Sequence, residues 1–499
     1  MNDILVLLLR RLRRPLIALI GAYAFSIIGL VLMPGVDDKG LRWHLSLFDA
    51  FYVMSYTATT IGFGEVPHAF SYAQRLWLAI SIYVSVIAWA YTIGSIFALT
   101  QQPEFRQAWA RRRFEARVRR MTDRFFVVCG YGQSGRRLSE AFDEIGYGTV
   151  IIESNPERAR AHLLIDSQQA SVLLVADARS PDVLVAAGVR MPNCAGLVGL
   201  ARDDDVNQAI VFGTRVLAPQ LPVLARVKSH LAQETLQAFG GVQIVNPFET
   251  FAFNFGTALR QPDTLRLEDW LSSAPGTRPP PRIQPPRGHW IVVGYGRFGR
   301  AIAAALEHAG LTHKAIDVDP AACGVEAIIG SGLTEGALRD AGIAEAVGIV
   351  VATNDDARNL AVVATARRLK RKLFVVIRQN LVGNRSLIEA ARADMEFVQA
   401  ALMARECVQV LTTPLLNRFL LLAREQTNVW AQGVAGRLVD QVSEAVPYLW
   451  SVNCDIAELG ARHALIEKPE PRLSLAHLLA DPDGRHQRLP AVPLLLVRA

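Results

Sequence analysis

Two stretches of this 499-residue chain contain no charged residue: Pro15 to Met33, 19 residues, and Leu76 to Leu99, 24 residues. As helices rising ~1.5 Å per residue they would reach about 28 and 36 Å, enough for a hydrocarbon core of ~30 Å. Helices buried in soluble proteins are rarely apolar for so long, which argues against a wholly soluble fold. No Ala-x-Ala-like site follows the first run, since Met33-Pro34-Gly35-Val36-Asp37 comes next, which argues against a cleaved signal peptide. Cysteine is also scarce. The five, Cys129, Cys194, Cys323, Cys407 and Cys454, make no Cys-x-x-Cys and no paired spacing. A disulfide framework and a structural zinc site are thereby disfavoured, and buried thiols in a reducing compartment are expected.

The charges that are present orient the apolar runs. The net charge is +7, from 53 Lys and Arg against 46 Asp and Glu. Arg10, Arg11, Arg13 and Arg14 precede the first run, and Arg106, Arg111, Arg112, Arg113, Arg117, Arg119, Arg120 and Arg124 follow the second. The segment between them is near neutral. The positive-inside rule then places both ends in the cytoplasm. The basic flanks suit the anionic headgroups of a lipid bilayer. Nucleic acid is the weaker reading and no nucleic-acid partner is expected, because the arginines stand where topology demands them.

Between the runs, apolar residues recur at helical spacing from Ser46 to Ala58. Such a helix is only about 20 Å long, too short to cross but able to dip in and return. Its C-terminal end would favour a cation near the bilayer centre. It leads straight into Thr59, Thr60, Ile61, Gly62, Phe63 and Gly64. Alternate glycines open backbone conformations closed to other residues, so successive carbonyls can point to one side. Four copies around an axis would form rings of oxygens able to replace the hydration shell of K+.

Residues 1–99 thus resemble the pore module of prokaryotic two-transmembrane potassium channels. The resemblance implies that the carbonyls of Thr60, Ile61, Gly62 and Phe63, with the Thr60 hydroxyl, contact the permeant ion K+. It also implies that one chain supplies a quarter of the pore of a homotetramer in the plasma membrane. Glu65 stands where the family usually has Asp. The only glycine between residues 76 and 99 is Gly94, near the cytoplasmic end, and it reads as either a hinge or a close-packing position, with packing slightly favoured.

After a basic linker, 100–123, the chain repeats itself. An apolar strand leads into Gly130-Tyr131-Gly132-Gln133-Ser134-Gly135, and another into Gly294-Tyr295-Gly296-Arg297-Phe298-Gly299. An acid follows the first glycine by 23 residues in each copy, Glu153 and Asp317. Glycine loop, helix and distant carboxylate together predict a Rossmann unit, with phosphate at the helix N-terminus and ribose at the acid. The repeat extends to Val198–Asn207 against Val350–Asn359, and to Leu224-Ala225-Arg226 against Val376-Ile377-Arg378. Two doubly wound α/β lobes are expected, at 124–270 and 289–424 with their crossover helices. A proline-rich linker, 271–288, separates them, and a small C-terminal lobe, 425–499, ends the chain.

This arrangement is similar to tandem RCK domains, the TrkA-N-like regulators of K+ conductance. The expected nucleotide residues are Gly130, Gly132, Gln133, Ser134, Gly135, Glu153 and Asp177 in the first lobe. In the second they are Gly294, Gly296, Arg297, Phe298, Gly299 and Asp317. An acid at the ribose repels a 2′-phosphate, which favours NAD(H) over NADP(H); ATP and ADP remain open, as does a divalent cation. The second lobe has Ser331 where the first has Asp177, and only 14 residues separate it from Asp317, against 24 from Glu153 to Asp177. The first site is therefore expected to dominate. The expected function is a K+-selective channel gated by a cytoplasmic ring of lobes, and not an enzyme. A membrane-anchored NAD-dependent oxidoreductase would explain the lobes but not Thr60 to Gly64, and no substrate domain or positioned His or Tyr acid is evident. A non-selective cation channel is the other alternative, because Phe63 and Glu65 depart from the commonest filter.

Overall fold

The structure, a computed structural model, describes residues 2–442 except 38, 163–168, 170, 274–275 and 321–326, together with 445, 449 and 492–495. The chain divides into two units, Met1–Ala116 and Arg117–Ala499.

In the first unit, helices Asn2–Leu32 and Tyr72–Gln101 flank a short helix, Leu47–Ala58. The spans Leu12–Leu32 and Tyr72–Gln101 are long and apolar enough to cross a membrane by length and composition, and only 28% and 22% of their windows are buried within the chain. That exposure is unlike the core helix of a soluble protein, which buries its apolar surface. The short helix begins where expected, because Ser46 caps it by accepting from Asp49 N–H at 3.1 Å. Ser71 starts the second long helix with a capping box: Gln74 N–H donates to the Ser71 hydroxyl at 3.3 Å, and Ser71 N–H to the Gln74 carbonyl at 3.1 Å. Leu30, Leu45, Ala50, Val53, Met54 and Phe70 form the core that seats the short helix. The two long helices meet closely at Gly29, where a Cβ would lie 1.9 Å from the Trp77 ring. Trp77 Nε1 donates to Ser26 O at 3.1 Å there. Gly94, by contrast, is not a close-packing position within the chain: a Cβ there would meet nothing within 4 Å.

The second unit holds two six-stranded parallel sheets. The first runs Ser171–Val175, Gly148–Glu153, Phe125–Cys129, Cys194–Gly199, Val223–Arg226, Gln243–Val245. The second runs Ile328–Ile329, His313–Asp317, Trp290–Val293, Gly348–Val351, Phe374–Gln379, Met395–Val398. Within each lobe this is the order 3-2-1-4-5-6 of a doubly wound fold, with the crevice beside the first strand. The central strands are apolar throughout, as a sheet covered on both faces requires.

The lobes exchange helices. Pro247–Arg260, which follows the first lobe, gives Phe248, Phe251 and Phe255 to the second lobe's core beside Trp290, Phe298 and Phe397. Gln399–Thr412, which follows the second lobe, gives Met403, Ala404 and Cys407 to the first lobe's core beside Phe126, Leu138 and Phe142. A buried Phe or Met contributes roughly 1.5–3 kcal/mol, so neither lobe has a complete core alone. Each crossover helix belongs in sequence to one lobe and in packing to the other. Helix Asn428–Gln441 packs on Pro262–Leu271; most of the expected small lobe at 425–499 lies outside the described residues.

Candidate functional site

The backbone after the short helix is unusual. Thr60, Gly62 and Gly64 have φ of +61°, +66° and +98°, so every second residue is left-handed. For β-branched Thr60 this is an outlier costing of order 1–3 kcal/mol, of the kind that persists at functional sites. Several bonds hold it. Thr59 caps the helix by donating its hydroxyl to Ser55 O at 2.7 Å. Ile61 N–H donates to Tyr56 O at 2.9 Å, and the Tyr56 hydroxyl donates to Gly64 O. The Phe63 ring lies 5.7 Å edge-on from Tyr56 and stacks 6.5 Å from Tyr52. Arg75 pairs with Glu65 through two bonds of 2.7 and 2.9 Å, and Phe70 N–H adds a third at 2.8 Å. The Arg75 guanidinium holds the Glu65 carboxyl below the usual carboxylate range. Residues 60–64 are exposed in the single chain, as one wall of a shared pathway would be.

The first lobe's glycine loop borders a cleft of about 480 Å³, within the ordinary range for ligand pockets. Gly130 has φ +103°, and a Cβ on Gly135 would stand 2.0 Å from Gly130 O, so the loop can close only on glycines. Gly132 caps helix Gln133–Glu144 without a side-chain bond. The helix N-terminus is thereby open to an anion. Gly130, Gly132, Gln133, Ser134, Gly135, Glu153 and Asp177 all border the cleft. Glu153 is 3% exposed. It accepts from Tyr131 N–H at 2.6 Å and from Asn155 N–H at 2.8 Å, so it anchors the loop from below. Asp177 pairs with Arg179 at 2.6 Å, which lowers its carboxyl from the usual value.

The second cleft, about 650 Å³, repeats this plan. Asp317 accepts from Tyr295 N–H at 2.5 Å and from Asp319 N–H at 2.9 Å. Gly294, Gly296, Arg297, Asp317 and Ser331 border it. Two expected residues do not. Phe298 turns inward, 1% exposed, and stacks 4.3 Å from Phe397. Its apolar ring belongs to the exchanged core, because the helix face opposite the cleft packs there. Gly299 lies beneath the loop, with Gly294 O 2.0 Å from a Cβ position.

Two residues that sequence reasoning did not assign to the sites border the clefts. Arg226 ends Val223–Arg226, the fifth strand of the first lobe, and is 8% exposed. Its Nη2 donates to Ala201 O at 2.6 Å, while Nε has no protein partner. Arg378 is its counterpart in the second lobe. Both are positioned by a repeated asparagine. Asn207 donates to Ala201 O at 3.0 Å and Arg226 O at 2.9 Å; Asn359 donates to Thr353 O at 3.2 Å and Arg378 O at 2.8 Å. The signal was in the sequence: the repeat aligns Asn207 with Asn359 and Arg226 with Arg378. Among the described residues no group of three or more His, Cys, Asp or Glu is placed to hold a metal.

The TrkA-N domain family matches residues 126–247 in the first lobe and 290–398 in the second. The resemblance to prokaryotic potassium channels holds as well. The chain is 27% identical over 221 residues to potassium channel protein 1 of Methanocaldococcus jannaschii, covering 44% of this chain and 64% of that one. It is 35% identical over 95 residues to the Trk system potassium uptake protein TrkA of Streptomyces coelicolor, covering 18% and 41%. The chain thus spans less than two thirds of the length of these relatives. A solved structure, the GsuK channel bound to NAD, is 19% identical and covers 83% of this chain and 85% of that one, with a TM-score of 0.49.

Proposed function

We propose that the chain is a K+-selective channel subunit whose pore is gated by nucleotide at its two TrkA-N lobes. The observation that carries the pore is the left-handed backbone at Thr60, Gly62 and Gly64, immediately after a helix too short to span and between two helices long enough to do so. A strand wound that way can present successive carbonyls to a dehydrated cation. Four chains would close the ring, since one chain supplies a single wall. Both termini would be cytoplasmic by the arginine distribution.

The ligand reading rests on the clefts themselves. Each combines an uncapped helix N-terminus, a glycine loop tied to a carboxylate, and a strand-end arginine. These suit a nucleotide phosphate and ribose. NAD(H) is favoured by the acids, with ADP and ATP the close competitors. A ligand biases opening only through its differential affinity for two arrangements of the lobes. The experiment is recording from purified protein in planar bilayers, with NAD+, NADH, ADP or ATP added to one side. Nucleotide-dependent, K+-selective openings are expected. NADH turnover without conductance would favour the oxidoreductase instead.

A further inference from the structure

Arg378 borders both clefts. It ends strand Phe374–Gln379 of the second lobe, and its guanidinium lies 5.5 Å over the ring of Phe248, a residue contributed by the exchanged helix. Arg297, from the second glycine loop, lies 5.6 Å over the same ring. Arg226 faces the first cleft with its Nε unpartnered. The positive charge between the lobes is therefore held in common. Burial, and then Arg297, weaken the proton affinity of Arg378, and Arg297 also acts on Arg226 and Lys228. Asp356 opposes this at Arg378, while Asp203 and Asp204 oppose it at Arg226 and Lys228.

We infer that the two clefts are antagonistically coupled through Arg378: a phosphate-bearing ligand in one weakens binding in the other. The inference rests on the nucleotide reading of both lobes. The sign follows from two effects that act together. One guanidinium can lay the same paired N–H edge on only one of two anions in separate clefts, so full bidentate contact with one is lost to the other. Two anions drawn to one shared cationic cluster also repel each other across a medium less polar than water. Nothing offsets that repulsion, since the arginines attract the second anion no more strongly when the first cleft is filled, and less strongly where Arg378 has turned toward the first. The consequence is graded: the channel would respond first to one occupied lobe, and only at higher concentration to both.

The test is calorimetric titration of the full-length protein with ADP. Wild type is expected to give two phases. Glu153→Ala disables the first cleft, and the second should then bind about tenfold more tightly than the weaker phase of wild type, a coupling within the usual range. With Arg378→Gln in the background, Glu153→Ala should change the second cleft by no more than about twofold. Arg378→Lys keeps a charge but not the fork, and should give an intermediate value. Should Arg378→Gln fail to fold, wild type against Glu153→Ala still decides the sign. Second-cleft affinity that is the same with the first cleft filled or disabled would overturn the coupling and leave the nucleotide reading intact. No ADP binding by wild type at either cleft would overturn both.

Discussion

Removing the Glu153 carboxylate asks whether the first glycine loop is held from below. Its oxygens accept from Tyr131 N–H at 2.6 Å and Asn155 N–H at 2.8 Å, in a residue only 3% exposed. Glu153→Ala strips both amides of their partner. A buried donor so orphaned costs about 1–3 kcal/mol. Water can enter from the cleft, so the lower limit applies, about 1 kcal/mol for each amide. If a bound nucleotide requires the loop in its present shape, about 2 kcal/mol is roughly a 30-fold loss of affinity. Glu153→Gln keeps the shape but turns an NH₂ toward one of the two amides, so it should cost about 1 kcal/mol, or roughly fivefold. The assay is ADP and NAD+ titration of purified full-length protein, paired with open probability in bilayers. Affinity should fall in the order wild type, Gln, Ala, and Asp317→Ala should disturb gating less than Glu153→Ala. Binding by Glu153→Ala within twofold of wild type would refute the anchoring argument. Gating lost in Asp317→Ala but kept in Glu153→Ala would refute the ranking of the lobes.

Three further outcomes are expected. Gly62→Ala places a Cβ at φ +66° and should abolish K+-selective conduction while the protein still assembles, which bilayer recording with size measurement would check. Glu268 is 5% exposed and pairs with Arg424 at 2.8 Å, yet burial raises its carboxyl above the usual value despite that partner. Arg424→Met leaves an uncompensated buried charge and should cost about 3–5 kcal/mol, whereas Glu268→Gln should cost far less, because Arg424 can turn to solvent; denaturant unfolding compares them. Burial lowers the basicity of His162, which bonds to the Tyr131 hydroxyl at 3.2 Å and the Ser171 hydroxyl at 3.1 Å. The unfolded chain then binds a proton more readily. Stability should be full above about pH 6.5 and fall as pH drops through the lowered value. His162→Gln should flatten that slope in melts at pH 5 to 8.

Much of this was legible because the controlling signals are local or repeated. Charge-free runs and the helical spacing from Ser46 to Ala58 mark the first unit, and the duplicated glycine loops mark both sheets; the caps at Ser46 and Ser71 are visible only in the structure. Glu153 and Asp317 were found by spacing, although their bonds to the loop amides are visible only in three dimensions. The exchange of Pro247–Arg260 and Gln399–Thr412 was not legible. An amphipathic helix states that it needs an apolar partner, not which of two similar sheets provides it. Phe298 was misassigned for the same reason: its place in the motif suggested the cleft, while the exchanged Phe248 and Phe251, with Phe397 of its own sheet, draw its ring into the core. Arg226 and Arg378 stood in the aligned repeat, but only the sheet order brings their strand ends beside the glycine loops. Gly94 reads from the sequence as a hinge or a close-packing position, with packing slightly favoured; within the chain the close contact is instead at Gly29, under Trp77, and the hinge reading is untouched.

The central claim is that Thr60 to Gly64 form one wall of a K+-selective pathway. Its most direct test is the reversal potential of purified protein in a planar bilayer with K+ on one side and Na+ on the other. The account predicts a reversal potential displaced strongly in the direction that K+ selectivity requires, and loss of that displacement in Gly62→Ala. A wild-type reversal potential that does not respond to exchanging K+ for Na+ would contradict it.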